Sequence, residues 1–121
     1  MNWATAFVLL AVIALAYALK RARQISSTDA LEFMKSGALV IDVRSATEFR
    51  SGHLPQAINL PFEEIEILLP GSVKNKNQVL LLHCQSGMRS GAAKTKLKAL
   101  GYANVFNLGS YARAARIVIT R

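Results

Sequence analysis

One cysteine, followed closely by serines, a glycine and an arginine, is the group of residues best suited to covalent chemistry in this chain. Cys84 is the single cysteine among 121 residues. It opens the run Cys84-Gln85-Ser86-Gly87-Met88-Arg89-Ser90. A thiolate forms most readily where backbone N–H groups, a helix N-terminus or a cation stabilise its charge. Because Gly87 permits backbone angles that other residues resist, this run can direct several N–H groups at one anion. The sequence therefore predicts an ionised, nucleophilic cysteine.

The elements on either side of this loop would hold it at one edge of a parallel sheet. Residues 78–83 contain four consecutive apolar residues and are predicted to form a buried strand. Residues 90–100 have the spacing of an amphipathic helix, which ends at Gly101. Ligands of parallel α/β sheets bind outside the carboxyl ends of the strands. The helix would also direct the positive end of its dipole at the cysteine.

Short strands and helices alternate along the rest of the chain, which predicts an α/β domain with a mostly parallel central sheet flanked by helices. The other expected strands are residues 39–43, 57–60 and 104–108. The other expected helices are residues 30–35, 46–50, 63–69 and 110–116. The third of these is expected to end at Pro70-Gly71, because that dipeptide interrupts helices.

The N-terminal segment predicts a membrane anchor. Residues 3–19 contain no charged side chain, and Trp3 and Tyr17 lie near the two ends, where aromatic rings favour the membrane interface. As a helix this segment is about 26 Å long, close to the ~30 Å hydrocarbon core. We therefore expect residues 1–25 to be a transmembrane helix with a basic linker, and residues 26–121 to be the folded domain.

Positive charge sets the expected orientation of that anchor. Lys20, Arg21 and Arg23 follow the apolar run, which predicts a single-pass protein with its folded domain in the cytoplasm. The alternative is a secretory signal cleaved near Ala18 and export of the rest. A secretory signal, however, carries its positive charges before the apolar run.

The charge distribution favours small anionic partners. The net charge is +8, and residues 67–121 carry nine Lys or Arg and no Asp or Glu. Such a surface attracts anionic substrates or lipid headgroups. The chain lacks zinc-finger spacing and the RNA-binding signatures, so nucleic acid is not an expected partner. Its two histidines have no third ligand, so we expect no metal site and no cofactor.

The loop that begins at Cys84 resembles the active-site loop of rhodanese domains. An upstream stretch resembles that family's other signature, in matching order and spacing. It consists of Asp42-Val43-Arg44, Glu48-Phe49, Gly52-His53-Leu54-Pro55 and Ala57-Ile58-Asn59-Leu60-Pro61. The resemblance extends from about Ser27 to Arg116 and implies a rhodanese-like α/β fold.

The resemblance also implies an activity, that of a thiosulfate-type sulfurtransferase. Cys84 would take the outer sulfur of a small anionic donor such as thiosulfate, carry it as a persulfide, and pass it to a thiol or protein acceptor. Arg89 would bind the anionic donor. The backbone amides of the remaining loop residues would hold the persulfide. These residues are Gln85, Ser86, Gly87, Met88 and Ser90.

Other polar residues near the signatures are expected to have structural roles. Asp42, Arg44 and Glu48 would tie the end of a strand to neighbouring loops, and His53 would hold a turn. His83 should point away from Cys84, because side chains alternate along a strand. We therefore expect His83 to pack in the core rather than to act as a base.

Loop length argues against phosphatase or arsenate reductase activity, and two other classes of function stay open. Four residues separate Cys84 from Arg89, whereas the related phosphatases and arsenate reductases have five. The shorter loop favours a pocket for a sulfur atom over one for phosphate. The first open class is a binding module of the rhodanese fold, which would be tethered to a membrane by the predicted anchor. The second open class is a sulfur or redox relay through mixed disulfides, which would need a thiol from outside the chain.

Overall fold

A computed structural model describes residues 2–119, apart from the side chains of residues 20–22, and shows an α/β architecture. The helices are α1 (Trp3–Ala22), α2 (Ser27–Lys35), α3 (Ala46–Arg50), α4 (Ile65–Ser72), α5 (Met88–Ala99) and α6 (Tyr111–Ile119). The strands are β1 (Leu39–Asp42), β2 (Ile58–Asn59), β3 (Leu80–Cys84) and β4 (Val105–Ser110). They form one sheet in the order β2-β1-β3-β4, and every pair is parallel. The predicted α/β fold with a parallel central sheet is confirmed.

Strand β3 lies at the centre of the sheet and is buried along its whole length. Helices cover both faces, which is why its sequence is mostly apolar rather than alternating. Leu82 and Cys84 pack with Ala93 and Leu97 of α5 in one hydrophobic cluster. Leu81 packs on the opposite face, with residues of α2 and α6. Cys84 therefore faces α5, and the residue before it faces the other layer.

Helix α4 differs from the prediction at both ends. It begins at Ile65 and continues through Pro70 to Ser72, where residues 63–69 were expected. Proline removes a backbone N–H from the helix, but here it lies in the last turn, where few such bonds remain to be made. The N–H of Val73 closes that turn by donating to the carbonyl of Leu69 at 2.7 Å. Burial of Ile65 and Leu69 holds the helix on the sheet.

The two elements at the C-terminal end of the domain are longer than predicted. Strand β4 extends to Ser110, because Cys84 and Ser86 both pair with Ser110. Helix α6 continues to Ile119, with Ala114 and Ile117 buried against the sheet. The end of the predicted domain, residues 120–121, lies outside the described residues.

Helix α1 is apolar and largely exposed, from 81% of Trp3 to 48% of Leu19. Within residues 2–119, no helix is both long enough and apolar enough to cross a membrane. This finding does not support the predicted transmembrane anchor over residues 3–19. The division of the chain at residues 25 and 26 stays a prediction.

Candidate active site

The sulfur of Cys84 lies under a tight loop between β3 and α5. Cys84 is the last residue of β3 and is fully buried. The N–H of Gly87 donates to its Sγ at 3.0 Å. Gly87 has a φ of +95°, and a Cβ there would lie 3.2 Å from backbone atoms of Gly109. A larger residue would be strained in both backbone and packing, so glycine is needed to bring this N–H to the sulfur.

Asn107 of β4 holds the loop on the side of the sheet, and it is not among the site residues predicted from the sequence. Its buried amide donates from Nδ2 to the carbonyl of Gly87 at 3.1 Å. Its Oδ1 accepts from the hydroxyl of Ser90 at 2.7 Å and from the N–H of Gly109 at 2.9 Å. The same Ser90 hydroxyl lies 3.5 Å from the Sγ of Cys84. One side chain thus links the loop, the start of α5 and β4. The sequence signal that could have identified Asn107 is its polar side chain within an otherwise apolar strand.

Two opposing effects set the pKa of Cys84. Burial disfavours the thiolate, but hydrogen bonds from the Ser90 hydroxyl and from the amides of Ser90, Gly87 and Ser86 favour it. The donors prevail, and the pKa of Cys84 lies below its ordinary value of 9.0. This matches the predicted chemistry, because sulfur transfer requires the thiolate.

The alkylation of Cys84 by iodoacetamide should therefore titrate with a midpoint below pH 9, measured as rate against pH. Ser90→Ala should raise that midpoint, because it removes the largest of the effects that favour the thiolate. Because the pKa of Cys84 is lowered in the folded chain, ionisation of the thiol stabilises the fold at pH values above the thiol's ordinary pKa. This contribution to stability is lost as the pH falls through the pKa that Cys84 has in the folded chain. A midpoint above 9 would show that burial outweighs the donors.

Arg89 is bound by a carboxylate of its own chain. Its two terminal nitrogens donate to the two carboxylate oxygens of Glu48, at 2.8 and 3.0 Å. The bond from Arg89, together with the N–H of Ser45, lowers the pKa of Glu48 to about 2. The Glu48 carboxylate raises the pKa of Arg89 in turn. Glu48 therefore contacts Arg89, the residue predicted to bind the sulfur donor. This contact was not part of the structural role predicted for Glu48.

A buried ion pair supports the loop from the other layer of the fold. The guanidinium of Arg44 donates to both carboxylate oxygens of Asp42, at distances from 2.7 to 3.0 Å. It also donates to the carbonyl of Gly52 at 2.7 Å and to the side chain of Gln85 at 3.4 Å. Its guanidinium lies 4.5 Å from the centre of the Tyr111 ring. The structural role of the pair stays a prediction.

The two histidines of the chain have different surroundings. His83 is fully buried in the layer opposite Cys84, with its ring edge against Tyr111 and its Nε2 3.7 Å from a carboxylate oxygen of Asp42. Burial lowers the pKa of His83, which keeps it neutral. His53 stacks on the ring of Phe49 and bonds the carbonyl of that residue at 2.8 Å. Within residues 2–119, no cluster of three or more His, Cys, Asp or Glu could hold a metal ion.

The remaining loop side chains point outward. Gln85 and Ser86 are exposed, and Met88 is 77% exposed. Their side chains therefore lie at the surface above the sulfur, while the amide of Ser86 contributes to the thiolate site. The backbone amides of Ser86, Gly87 and Ser90 donate to the Cys84 sulfur, and their role in holding a persulfide stays a prediction.

Comparison with known proteins defines the class of this fold and site. Residues 26–113 match the Rhodanese-like domain family, and the chain belongs to that family. It is 36% identical over 69 residues to thiosulfate sulfurtransferase PspE of Escherichia coli (strain K12), which covers 57% of this chain and 66% of that protein. It is 34% identical over 104 residues to thiosulfate sulfurtransferase 18 of Arabidopsis thaliana, covering 74% of this chain and 76% of that protein.

Solved structures agree with this assignment. The fold matches the human single-domain sulfurtransferase TSTD1 with a TM-score of 0.66 and 27% identity, over 78% of this chain and 96% of that chain. It also matches a rhodanese from E. coli solved with anions, with a TM-score of 0.61 and 32% identity. These relatives support the prediction of an enzyme of the thiosulfate sulfurtransferase type. The chain spans 66% of the length of PspE.

Proposed function

We propose that this chain is a sulfurtransferase that moves sulfane sulfur from a small anionic donor such as thiosulfate to a thiol or protein acceptor. The observation that carries the proposal is the placement of the Cys84 sulfur among inward-facing donors, with the Gly87 N–H at 3.0 Å. The named activities of the relatives point the same way. Under this proposal, Arg89 binds the anionic donor and the backbone amides of the loop hold the persulfide.

The first half-reaction loads sulfur on the enzyme. The Cys84 thiolate attacks the outer sulfur of thiosulfate and forms a new S–S bond. The original S–S bond of the donor breaks, and its electron pair leaves with sulfite. Charge balances, since a thiolate and a dianion become a persulfide anion and sulfite. The amides of Ser86, Gly87 and Ser90 stabilise the sulfur before the reaction, and they lie where the persulfide forms.

The second half-reaction delivers the sulfur. The outer sulfur of a persulfide lies about 2 Å beyond the cysteine sulfur, as in any S–S bond. It would therefore extend from buried Cys84 toward the exposed side chains of Gln85, Ser86 and Met88. A thiolate acceptor attacks that outer sulfur, and Cys84 leaves as a thiolate stabilised by the same donors.

The intact mass of the purified full chain, recorded after incubation with thiosulfate, tests the proposal. We expect a gain of one sulfur atom, located on the peptide that contains Cys84, with release of one equivalent of sulfite. Cyanide should then remove the added sulfur as thiocyanate. An unchanged mass across thiosulfate and organic persulfide donors would refute the proposal and favour a binding module.

The location of the protein stays a prediction in both its forms, a domain in the cytoplasm and export after cleavage near Ala18.

A further inference from the structure

The segment that follows α1 is joined to β4 by main-chain hydrogen bonds. Gln24 pairs with Asn107 as an isolated parallel bridge, and the N–H of Ile25 donates to the carbonyl of Asn107 at 2.9 Å. The carbonyl of Ile25 accepts from the guanidinium of Arg113, which also donates to the carbonyl of Leu108. The backbone of Gln24 is therefore fixed beside the strand that supports the sulfur loop.

The side chain of Gln24 lies against two glycines, one of which belongs to the sulfur loop. A Cβ at Gly109 would lie 2.7 Å from the Nε2 of Gln24, and a Cβ at Gly87 would lie 3.4 Å from the same atom. The amide of Gln24 thus occupies space that side chains at these positions would otherwise fill. The N–H of Gly87 donates to the Sγ of Cys84 at 3.0 Å. Gln24 therefore reaches the sulfur site through a single residue.

Gly87 has two supports outside its own loop. The side-chain amide of Asn107 donates to its carbonyl at 3.1 Å, and the side chain of Gln24 packs beside it. A groove of about 930 Å³ lies between the end of α1 and α5, and Gln24 and Gly87 both line it. Truncation of Gln24 would extend this groove and admit water beside Gly87. A hydrogen bond weakens steeply when its donor moves out of line, so a looser Gly87 would hold the sulfur less well.

We propose that Gln24 is a positioning residue of the sulfur site, which keeps the Gly87 N–H directed at Cys84 by filling the space beside Gly87. Gln24 lies outside residues 26–113, so the match to the family does not extend to it. The inference rests on the proposed function, because the role concerns the cysteine that carries the sulfur. It goes beyond that function by adding the segment after α1 to the site.

The pH dependence of Cys84 alkylation in Gln24→Ala tests the inference on the full chain. The Gly87 N–H is one of the donors that favour the thiolate against burial. Its weakening should therefore raise the midpoint of the iodoacetamide rate by roughly 0.5 pH unit. Arg89 interacts electrostatically with Cys84 and is unchanged in the variant, so the change in midpoint reports on the loop.

Sulfur loading from thiosulfate provides the second readout, with the intact mass followed over time. The rate for Gln24→Ala should be about threefold lower than wild type at pH values below both midpoints, because less of the thiolate is present. The two rates should converge at pH values above both midpoints. A variant that had only lost stability would not regain the wild-type rate at high pH.

Two further variants separate positioning from stability. Gln24→Met fills a similar space without the amide, so it should restore the wild-type midpoint. Gln78→Ala is the matched control, because Gln78 is also partly buried but lies before β3, at the end of the sheet opposite Cys84. Its side chain donates to the carbonyls of Gly37 and Val79. We expect its loss to leave the alkylation midpoint at the wild-type value, whatever its effect on thermal unfolding.

Three results would overturn the inference. They are an unchanged midpoint in Gln24→Ala, an equal rise in Gln78→Ala, and a rise in Gln24→Met as large as that in Gln24→Ala. Failure of the proposed function looks different. In that case the wild-type chain gains no sulfur from thiosulfate, whereas the alkylation midpoints of the variants still differ in the expected order.

Discussion

Replacement of Cys84 by serine should abolish sulfur transfer, with kcat/KM for thiosulfate falling at least about 10³-fold to the uncatalysed rate. A serine hydroxyl stays protonated at neutral pH and cannot form a persulfide. None of the neighbouring groups can substitute for the lost sulfur, because Cys84 is the single cysteine of the chain. The measurement is thiocyanate production from thiosulfate and cyanide by the purified variant.

The control for that experiment separates chemistry from folding. Serine is close to cysteine in shape, and the Gly87 N–H can donate to its oxygen, so the thermal unfolding midpoint should change little. Ser86→Ala alters an exposed side chain of the same loop and should keep most of the activity. Full activity in the serine variant would show that Cys84 is not the sulfur carrier.

Asn107→Leu should lower the free energy of unfolding by roughly 2–4 kcal/mol. The substitution removes a buried amide that satisfies the carbonyl of Gly87, the N–H of Gly109 and the hydroxyl of Ser90. Buried polar groups that lose their partners cost about 1–3 kcal/mol each, partly recovered by rearrangement. Urea unfolding, followed by circular dichroism, measures the change. Sulfur transfer should also fall, because the loop loses its link to β4.

The same substitution at an exposed position is the matched control. Asn77 lies in the exposed turn before β3, and Asn77→Leu should change the free energy of unfolding by less than about 0.5 kcal/mol. A cost at Asn107 as small as that at Asn77 would mean that the three hydrogen bonds do not stabilise the loop.

The sequence was most informative where local pattern and chemistry coincide. The apolar run before Cys84 and the amphipathic spacing after it placed the loop between a strand and a helix, and the structure shows that arrangement. Alternation along β3 placed His83 and Cys84 on opposite faces. Helix α3, at Ala46–Arg50, has the predicted bounds, because Ser45 and Glu48 form a capping box that defines its start.

Features that depend on distant parts of the chain could not be predicted in this way. Asn107 contacts residues 17 and 20 positions away, and no local pattern specifies that packing. The partner of Arg89 lies in α3, so its neutralisation by Glu48 is visible only in the folded chain. The end of α4 was placed too early, because packing of Ile65 and Leu69 outweighs the cost of proline. The apolar run at the N-terminus predicted a membrane span, and within residues 2–119 no helix meets that prediction.

The sulfur site is built from main-chain N–H groups and the buried Ser90 hydroxyl, which has a consequence for how such a protein can change over time. The side chains of Gln85, Ser86 and Met88 are exposed above the loop, and the hydrogen bonds of the first two are long, at 3.4 Å. Substitutions there alter the outer surface and leave the N–H donors in place. A lineage could therefore acquire a new acceptor protein by drift at these three positions, while the chemistry of the sulfur atom stays the same.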